Sequence, residues 1–65
     1  MAISILRLPE VRARTGLSRS TIYQRMSKGE FPSPVSLGDR AVGWVKQEVD
    51  QWIADRVSSR DESAA

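Results

Sequence analysis

The chain has 65 residues, a formal net charge of +2, and neither cysteine nor histidine. A chain this short buries only about 60% of its unfolded surface, so it holds one small core that no disulfide or thiolate metal site can reinforce. The absence of cysteine and histidine also excludes Cys/His and Ser/His/Asp catalysis and the usual zinc sites, so we expect no enzyme activity and no cofactor.

The first half of the sequence predicts a short strand and two helices joined by a tight turn. Residues 3–7 include three apolar residues, two of them β-branched isoleucines, as in a short strand. Pro9 suits the first position of a helix that Gly16 ends. Ser18 is the predicted N-cap of the second helix, which runs to about Lys28 before a capping glycine. Two short helices around so short a turn are typical of a helix-turn-helix motif.

The second half predicts a β-hairpin and a last helix. The segment VSLGDRAVGWV alternates apolar and polar residues around Gly38-Asp39, a pair suited to a tight turn with positive φ. Four apolar residues then recur at helical spacing and indicate a helix packed on the core: Val49, Trp52, Ile53 and Val57. Trp44 and Trp52 both lie on apolar stripes, so we expect them in the core. The fold class is therefore mainly α with a small antiparallel sheet, a winged helix-turn-helix ordered strand, helix, turn, helix, β-hairpin, helix.

One domain is expected to cover residues 1–60, followed by a polar, disordered tail at residues 61–65. No apolar run is long enough to span a membrane, and the N-terminus has no signal-peptide pattern. We therefore expect a protein of the bacterial cytoplasm, associated with the nucleoid, that has neither a membrane nor a small-molecule partner.

The outward face of the second helix contains no acidic residue. Ile22 and Met26 share one face at 100° per residue and are expected to pack inward. The remaining positions hold hydroxyls, an amide and long cations: Arg19, Ser20, Thr21, Tyr23, Gln24, Arg25, Ser27 and Lys28. Arg can pair with guanine, Gln with adenine, and Ser or Thr with phosphate or bases. This face predicts that helix 18–28 enters the major groove of double-stranded DNA.

The distribution of charge also favours a polyanionic partner. Residues 1–46 hold 8 Lys or Arg against 3 Asp or Glu, a net +5, whereas residues 47–65 hold 2 against 5, a net −3. Arg40, at the tip of the wing 35–45, would then meet the adjacent minor groove or the DNA backbone.

Some of these side chains also have a purely structural explanation, which stays open. Tyr23 can be a half-buried residue at the edge of the core, and the stem of Arg25 can cover Met26. Ser18 is interpreted as a cap rather than a DNA contact. Three acids are interpreted as a solvated face of the last helix that repels DNA: Glu48, Asp50 and Asp55.

Nearly the whole chain, about residues 5–57, is covered by four blocks: LRLPEV, TGLSRSTIY, GEFPSPVSLGDRAVGW and EVDQWI. In their order and spacing these blocks resemble the AlpA family of small phage and prophage regulators. The resemblance implies a DNA-binding transcriptional regulator or excisionase of an integrated element. It also implies that SRSTIYQR is the recognition helix and LGDRAVGW the wing, which assigns these residues to DNA: Arg19, Ser20, Thr21, Tyr23, Gln24, Arg25 and Arg40. Many relatives have a basic residue where this chain has Gln24.

Excisionase-like proteins bind side by side at repeated sites and bend the duplex, so the resemblance implies further copies of the chain or an integrase as partners. A function of a different class remains as the alternative. In it, the chain is a small phage adaptor or inhibitor that binds another protein through the surface of helix 46–57.

Overall fold

Three helices and a three-stranded antiparallel sheet make up the part of the chain that the computed structural model describes, the backbone of residues 2–64 and the side chains of residues 2–61. In chain order the elements are β1 (Ile5–Leu6), α1 (Leu8–Thr15), α2 (Arg19–Ser27), β2 (Val35–Gly38), β3 (Ala41–Val45) and α3 (Lys46–Ala64). This order confirms the predicted winged helix-turn-helix, with β2 and β3 as the wing. α1 begins one residue ahead of the predicted Pro9.

The turn between α1 and α2 is held by a residue at each end. Gly16 has a φ of 73°, in the left-handed region that favours glycine, and its N–H donates to the carbonyl of Arg12 at 2.8 Å. Ser18 caps α2, because its Oγ accepts a hydrogen bond from the N–H of Thr21 at 3.2 Å. Both predicted caps are confirmed, and together they set the angle at which α2 leaves α1.

The C-terminus of α2 ends in a Schellman motif. The N–H of Glu30 donates to the carbonyl of Arg25 at 2.8 Å, and the N–H of Gly29 donates to the carbonyl of Met26 at 3.0 Å. Gly29 adopts a φ of 72°, as this motif requires. The predicted glycine cap after Lys28 is therefore confirmed.

The sheet has the order β1-β3-β2, and its hairpin turn differs from the prediction by one residue. Gly38 pairs with Ala41, so the two turn residues are Asp39 and Arg40 rather than Gly38 and Asp39. Positive φ occurs at Gly38 (116°) and Arg40 (60°). The cause is a β-bulge between Ser36 and Gly38, which adds a residue to β2 and moves the turn along the chain.

Gly43 lies in β3 where neighbouring strands leave no room for a side chain. A Cβ at this position would overlap Cγ2 of Ile5 and lie 3.1 Å from both Cδ1 of Leu37 and the carbonyl oxygen of Leu6. The close contact of β1 with the wing therefore depends on glycine at this position.

The core draws one buried hydrophobic residue from every element except β2, and one from the loop that precedes β2. Its buried side chains are Leu6, Val11, Ile22, Phe31, Trp44 and Val49. The predicted core position of Trp44 is confirmed, and its indole N–H donates to the carbonyl of Pro32 at 3.0 Å. Trp52 and Ile53 are half-buried against this cluster. Val57 is 45% exposed, so its predicted place on the core stripe is wrong. Among the described residues, the side chains of α3 that pack on the core cluster end at Ile53.

The last helix is longer than the sequence predicted. α3 continues to Ala64 and so includes residues 61–64, for which we expected a disordered tail. No glycine or proline interrupts residues 46–64, so nothing in the local sequence ends the helix earlier. Ala65 lies outside the described residues. Within the described part of the chain, no helix combines the length and apolar character needed to cross a membrane.

Candidate nucleic-acid interface

α2 is attached to the protein by one face only. Ile22 is fully buried and Met26 is half-buried against the core, as their spacing predicted. The exposed side chains of α2 and its C-cap are Arg19, Ser20, Tyr23, Gln24, Ser27 and Lys28, of which Arg19 and Tyr23 flank the buried face and the others lie opposite it. The first turn of α2 contains no acidic residue, and its free backbone N–H groups favour an anion there.

Three hydroxyl groups cluster at the N-terminus of α2. The Oγ of Ser18 donates to Oγ1 of Thr21 at 2.9 Å and lies 3.2 Å from Oγ of Ser20. Thr21 is half-buried and its hydroxyl is engaged with the cap, whereas Ser20 is exposed. Of the two predicted hydroxyl contacts, Ser20 is therefore the more accessible to a ligand.

Tyr23 links the core to the exposed face of α2. Its ring is 37% exposed and packs edge-on against Trp44, with 6.4 Å between the ring centroids and 76° between the planes. The guanidinium carbon of Arg19 lies 5.2 Å from the centroid of the same ring. This cation–π contact holds Arg19 beside the helix rather than leaving it free in solvent.

Arg25 differs from the other arginines of this region. The residue is half-buried, and its Nε is shielded from solvent without a hydrogen-bond partner among the described residues. This burial is consistent with the expected packing of its stem beside Met26. A buried N–H without an acceptor is uncommon in proteins, so Arg25 has an unused donor at the base of the exposed face.

A residue that the sequence did not single out, Arg12, joins this face from α1. A hollow of about 540 Å³ is lined by Arg12, Ser18, Arg19, Ser20 and Tyr23. It places two guanidinium groups and two hydroxyls at the N-terminus of α2, a combination suited to a phosphate oxygen. Helical spacing indicates only that Arg12, next to buried Val11, is exposed. Its position beside α2 depends on how the two helices cross.

The wing places Arg40 at an exposed turn. Its φ of 60° is uncommon for a residue with a side chain. Asp39 precedes it in the turn, and neither residue forms an ion pair with any side chain that the structure describes. The guanidinium of Arg40 is therefore available to an external anion.

Asp50 differs from the other two acids of the predicted solvated face because it is ion-paired, although 39% of its side chain remains exposed. Its carboxylate accepts hydrogen bonds from Nζ of Lys46 at 2.8 Å and from Nη1 of Arg14 at 2.9 Å. The hydrogen bond from Lys46 is the main cause that lowers the pKa of Asp50. Desolvation opposes it, and the positive charges of Lys46 and Arg14 and the hydrogen bond from Arg14 lower the pKa further. This triad ties α1 to the start of α3 and engages Lys46 within the protein. Glu48 and Asp55 are exposed, as predicted.

Comparison with known proteins identifies relatives over most of the chain. Residues 4–57 match the family model described as prophage CP4-57 regulatory protein (AlpA). The chain is 54% identical over 55 residues to the protein ORF88 of Enterobacteria phage P4, an alignment that covers 85% of this chain and 62% of the relative. It is 39% identical over 61 residues to the DNA-binding transcriptional activator AlpA of Escherichia coli (strain K12), covering 85% of this chain and 87% of the relative. The chain thus spans less than two thirds of the length of the phage P4 protein.

Proposed function

The chain belongs to the AlpA family of prophage regulatory proteins, and from this membership we propose that it is a sequence-specific DNA-binding regulator of a prophage or integrated element. The observation that carries the proposal is the exposed face of α2, which has cations, hydroxyls and an amide but no acid. It lies in a helix-turn-helix beside a wing, an arrangement that places the second helix in the major groove of DNA.

In the proposed complex the exposed face of α2 reads the bases. Arg19 and Gln24 have the side chains that pair with guanine and adenine edges, and Ser20 is short enough to let the helix backbone approach the groove. Four further residues are proposed to contact the backbone or to support these three: Thr21, Tyr23, Arg25 and Lys28. The stacking of Arg19 on Tyr23 supports this division, because it restricts the rotamers of the arginine before DNA arrives.

Two further cations extend the proposed interface beyond α2. Arg12 supplies a phosphate contact at the N-terminus of α2, where the hollow holds a second guanidinium and two hydroxyls. Arg40, at the tip of the wing, meets the adjacent minor groove or the backbone. Phosphate contacts on both sides of α2 would set its register in the groove.

The output that we propose is transcription regulation, excision of the element, or both, in the bacterial cytoplasm at the nucleoid. A single module of this size buries only about 600–1,000 Å² on DNA, so its specificity is limited. Several copies on adjacent sites, or an integrase bound beside it, would supply the missing specificity and organise a bent duplex.

A salt titration tests the proposal. We expect affinity for a duplex from the protein's own locus to fall steeply with salt, with a log–log slope of about −0.9 for each phosphate neutralised. The matched control is Arg60→Ala, which removes a guanidinium from α3 and should leave the slope unchanged. Absence of duplex binding at low salt would refute DNA as the partner. A footprint of one isolated site without cooperativity would refute only the use of several copies.

A further inference from the structure

A second surface of the molecule has the properties of a binding groove. It runs between the loop at residues 29–35 and the first half of α3, and it encloses about 840 Å³. Phe31, Pro32 and Pro34 form one side, and Trp52 lies on the other. None of the proposed DNA contacts, on α2, on α1 or on the wing, lines this groove.

Both sides of the groove are held in place by specific contacts. The indole N–H of Trp52 donates to the carbonyl of Glu30 at 2.8 Å, and the rings of Trp52 and Phe31 pack edge to face with centroids 4.9 Å apart. The carbonyl of Pro32 accepts the indole N–H of Trp44 from the core. Because the loop is fixed to α3 and to the core, a ligand would not have to order it, which reduces the entropic cost of binding.

The groove is acidic although the protein as a whole is basic. Three acids line it, Glu30, Glu48 and Asp55, together with one cation, Arg56, so the lining has a net charge of −2. Since the whole chain has a net charge of +2, the rest of the chain has +4. Glu30 and Glu48 form no ion pair with any side chain that the structure describes. Asp55 accepts a hydrogen bond from Gln51 at 2.9 Å and forms no ion pair with a described side chain. This concentration of carboxylates repels nucleic acid and attracts cations.

The aromatic residue of the groove already binds a cation from its own chain. The guanidinium carbon of Arg56 lies 5.2 Å from the centroid of the Trp52 ring. Trp52 is half-buried, so part of its ring faces solvent beside the carboxylates. A partner arginine or lysine would find the same aromatic and acidic surroundings, and the prolines and Val35 would pack against apolar side chains.

We propose that this groove binds a basic, partly apolar segment of a partner protein. Glu48 and Asp55 are seven residues apart, hence on the same face of α3 and separated by roughly 10 Å along its axis. In a polyproline II segment, which has three residues per turn and a rise of about 3.1 Å per residue, side chains three residues apart lie on one face and are separated by roughly 9 Å. The segment that fits therefore has two cations three positions apart with apolar residues between them.

The experiment is a titration of the full-length, ¹⁵N-labelled protein with a blocked peptide of that pattern, two arginines flanking two leucines. We expect saturable shifts at the indole N–H of Trp52 and in the loop at residues 29–35, and unchanged resonances in α2. A peptide with glutamates in place of the arginines, and one with serines in place of the leucines, should both bind more weakly.

A matched pair of variants shows whether peptide binding depends on the carboxylates of the groove or on the net charge of the whole chain. Glu48→Gln combined with Asp55→Asn should weaken peptide binding roughly tenfold. Asp39→Asn combined with Asp61→Asn removes the same charge outside the groove and should leave the affinity unchanged. The amide spectrum of each variant reports whether it is folded. Unchanged affinity in the groove variant, equal binding of the glutamate peptide, or no saturable shift at millimolar peptide would overturn the proposal.

These measurements test the proposal of the groove and the proposal of DNA binding independently. The groove variant should bind duplex DNA at least as well as the natural sequence, because it removes two negative charges at a distance from α2. Peptide shifts that persist when the duplex is bound support two independent surfaces. Peptide shifts that appear on α2 and not in the groove would overturn the groove proposal without affecting the proposal of DNA binding.

Discussion

α2 and α3 are both rich in charged side chains, but they use them in opposite ways. The charged residues of α2 and its C-cap are all cations, Arg19, Arg25 and Lys28, and none forms an ion pair with a described side chain. Four charged side chains of α3 are ion-paired within the chain: Asp50 with Lys46 and with Arg14 of α1, and Arg60 with Asp61. Unpaired charge of one sign therefore distinguishes α2, whose surface is available to a polyanion, from α3, where charges of both signs form ion pairs.

The largest expected effect comes from detaching α2 from the core. Ile22→Ala removes a fully buried side chain, so the free energy of unfolding should fall by about 2–5 kcal/mol. Val57→Ala, on α3, shortens a side chain that is 45% exposed and should change stability by less than about 0.5 kcal/mol. Urea unfolding followed by tryptophan fluorescence measures both. Equal losses would mean that α3 packs on the core further along its length than the structure indicates.

A smaller effect is expected on DNA recognition, where substitutions in α2 and in α3 should differ. Arg19→Ala and Gln24→Ala, each made singly, should reduce discrimination at individual base pairs by about 1–3 kcal/mol, because each removes a paired base contact. Arg60→Ala, which alters a paired arginine of α3, should leave discrimination intact. Competition binding with duplexes substituted at single base pairs gives these values. If the three variants lost discrimination equally, charge alone would explain the role of α2.

The smallest effect is expected at the wing. Arg40→Asn removes the guanidinium, and the fold should be retained because asparagine tolerates the φ of 60° at this position. Affinity should fall by a similar factor for all duplexes, and the salt slope should decrease by about 0.9, the share of one phosphate. Arg40→Lys, which keeps the charge, is the control for the slope. An unchanged slope in Arg40→Asn would remove the wing from the proposed interface.

Local sequence signals predicted the framework that presents α2. The caps at Gly16 and Ser18 act within a few residues of the helix ends they define, so they can be recognised without knowledge of the rest of the fold. Helical periodicity likewise separated buried Ile22 from exposed Gln24. These signals were sufficient for the order of the elements and for the composition of the exposed face.

Contacts between elements could not be predicted in this way. Arg12 of α1 lines one hollow with residues of α2, and Asp50 of α3 is paired with Arg14 of another helix. The periodicity of Val57 matched a core stripe, yet the core ends before it reaches that turn. The environment of each of these residues depends on the side chains that other elements place next to it, and the neighbouring residues in the sequence do not specify those contacts.

By itself, the sequence determined the winged helix-turn-helix and the acid-free face of α2, because caps, turns and hydrophobic period act over a few residues. The tertiary structure alone decided that Arg12 joins that face, that the wing turns at Asp39 and Arg40, and that the loop at residues 29–35 meets α3 to form an acidic groove. The groove arises where segments distant in sequence pack on the shared core of Ile22, Phe31 and Trp44. The position of the wing turn follows from the β-bulge in β2, and Arg12 meets α2 across the turn that joins the first two helices.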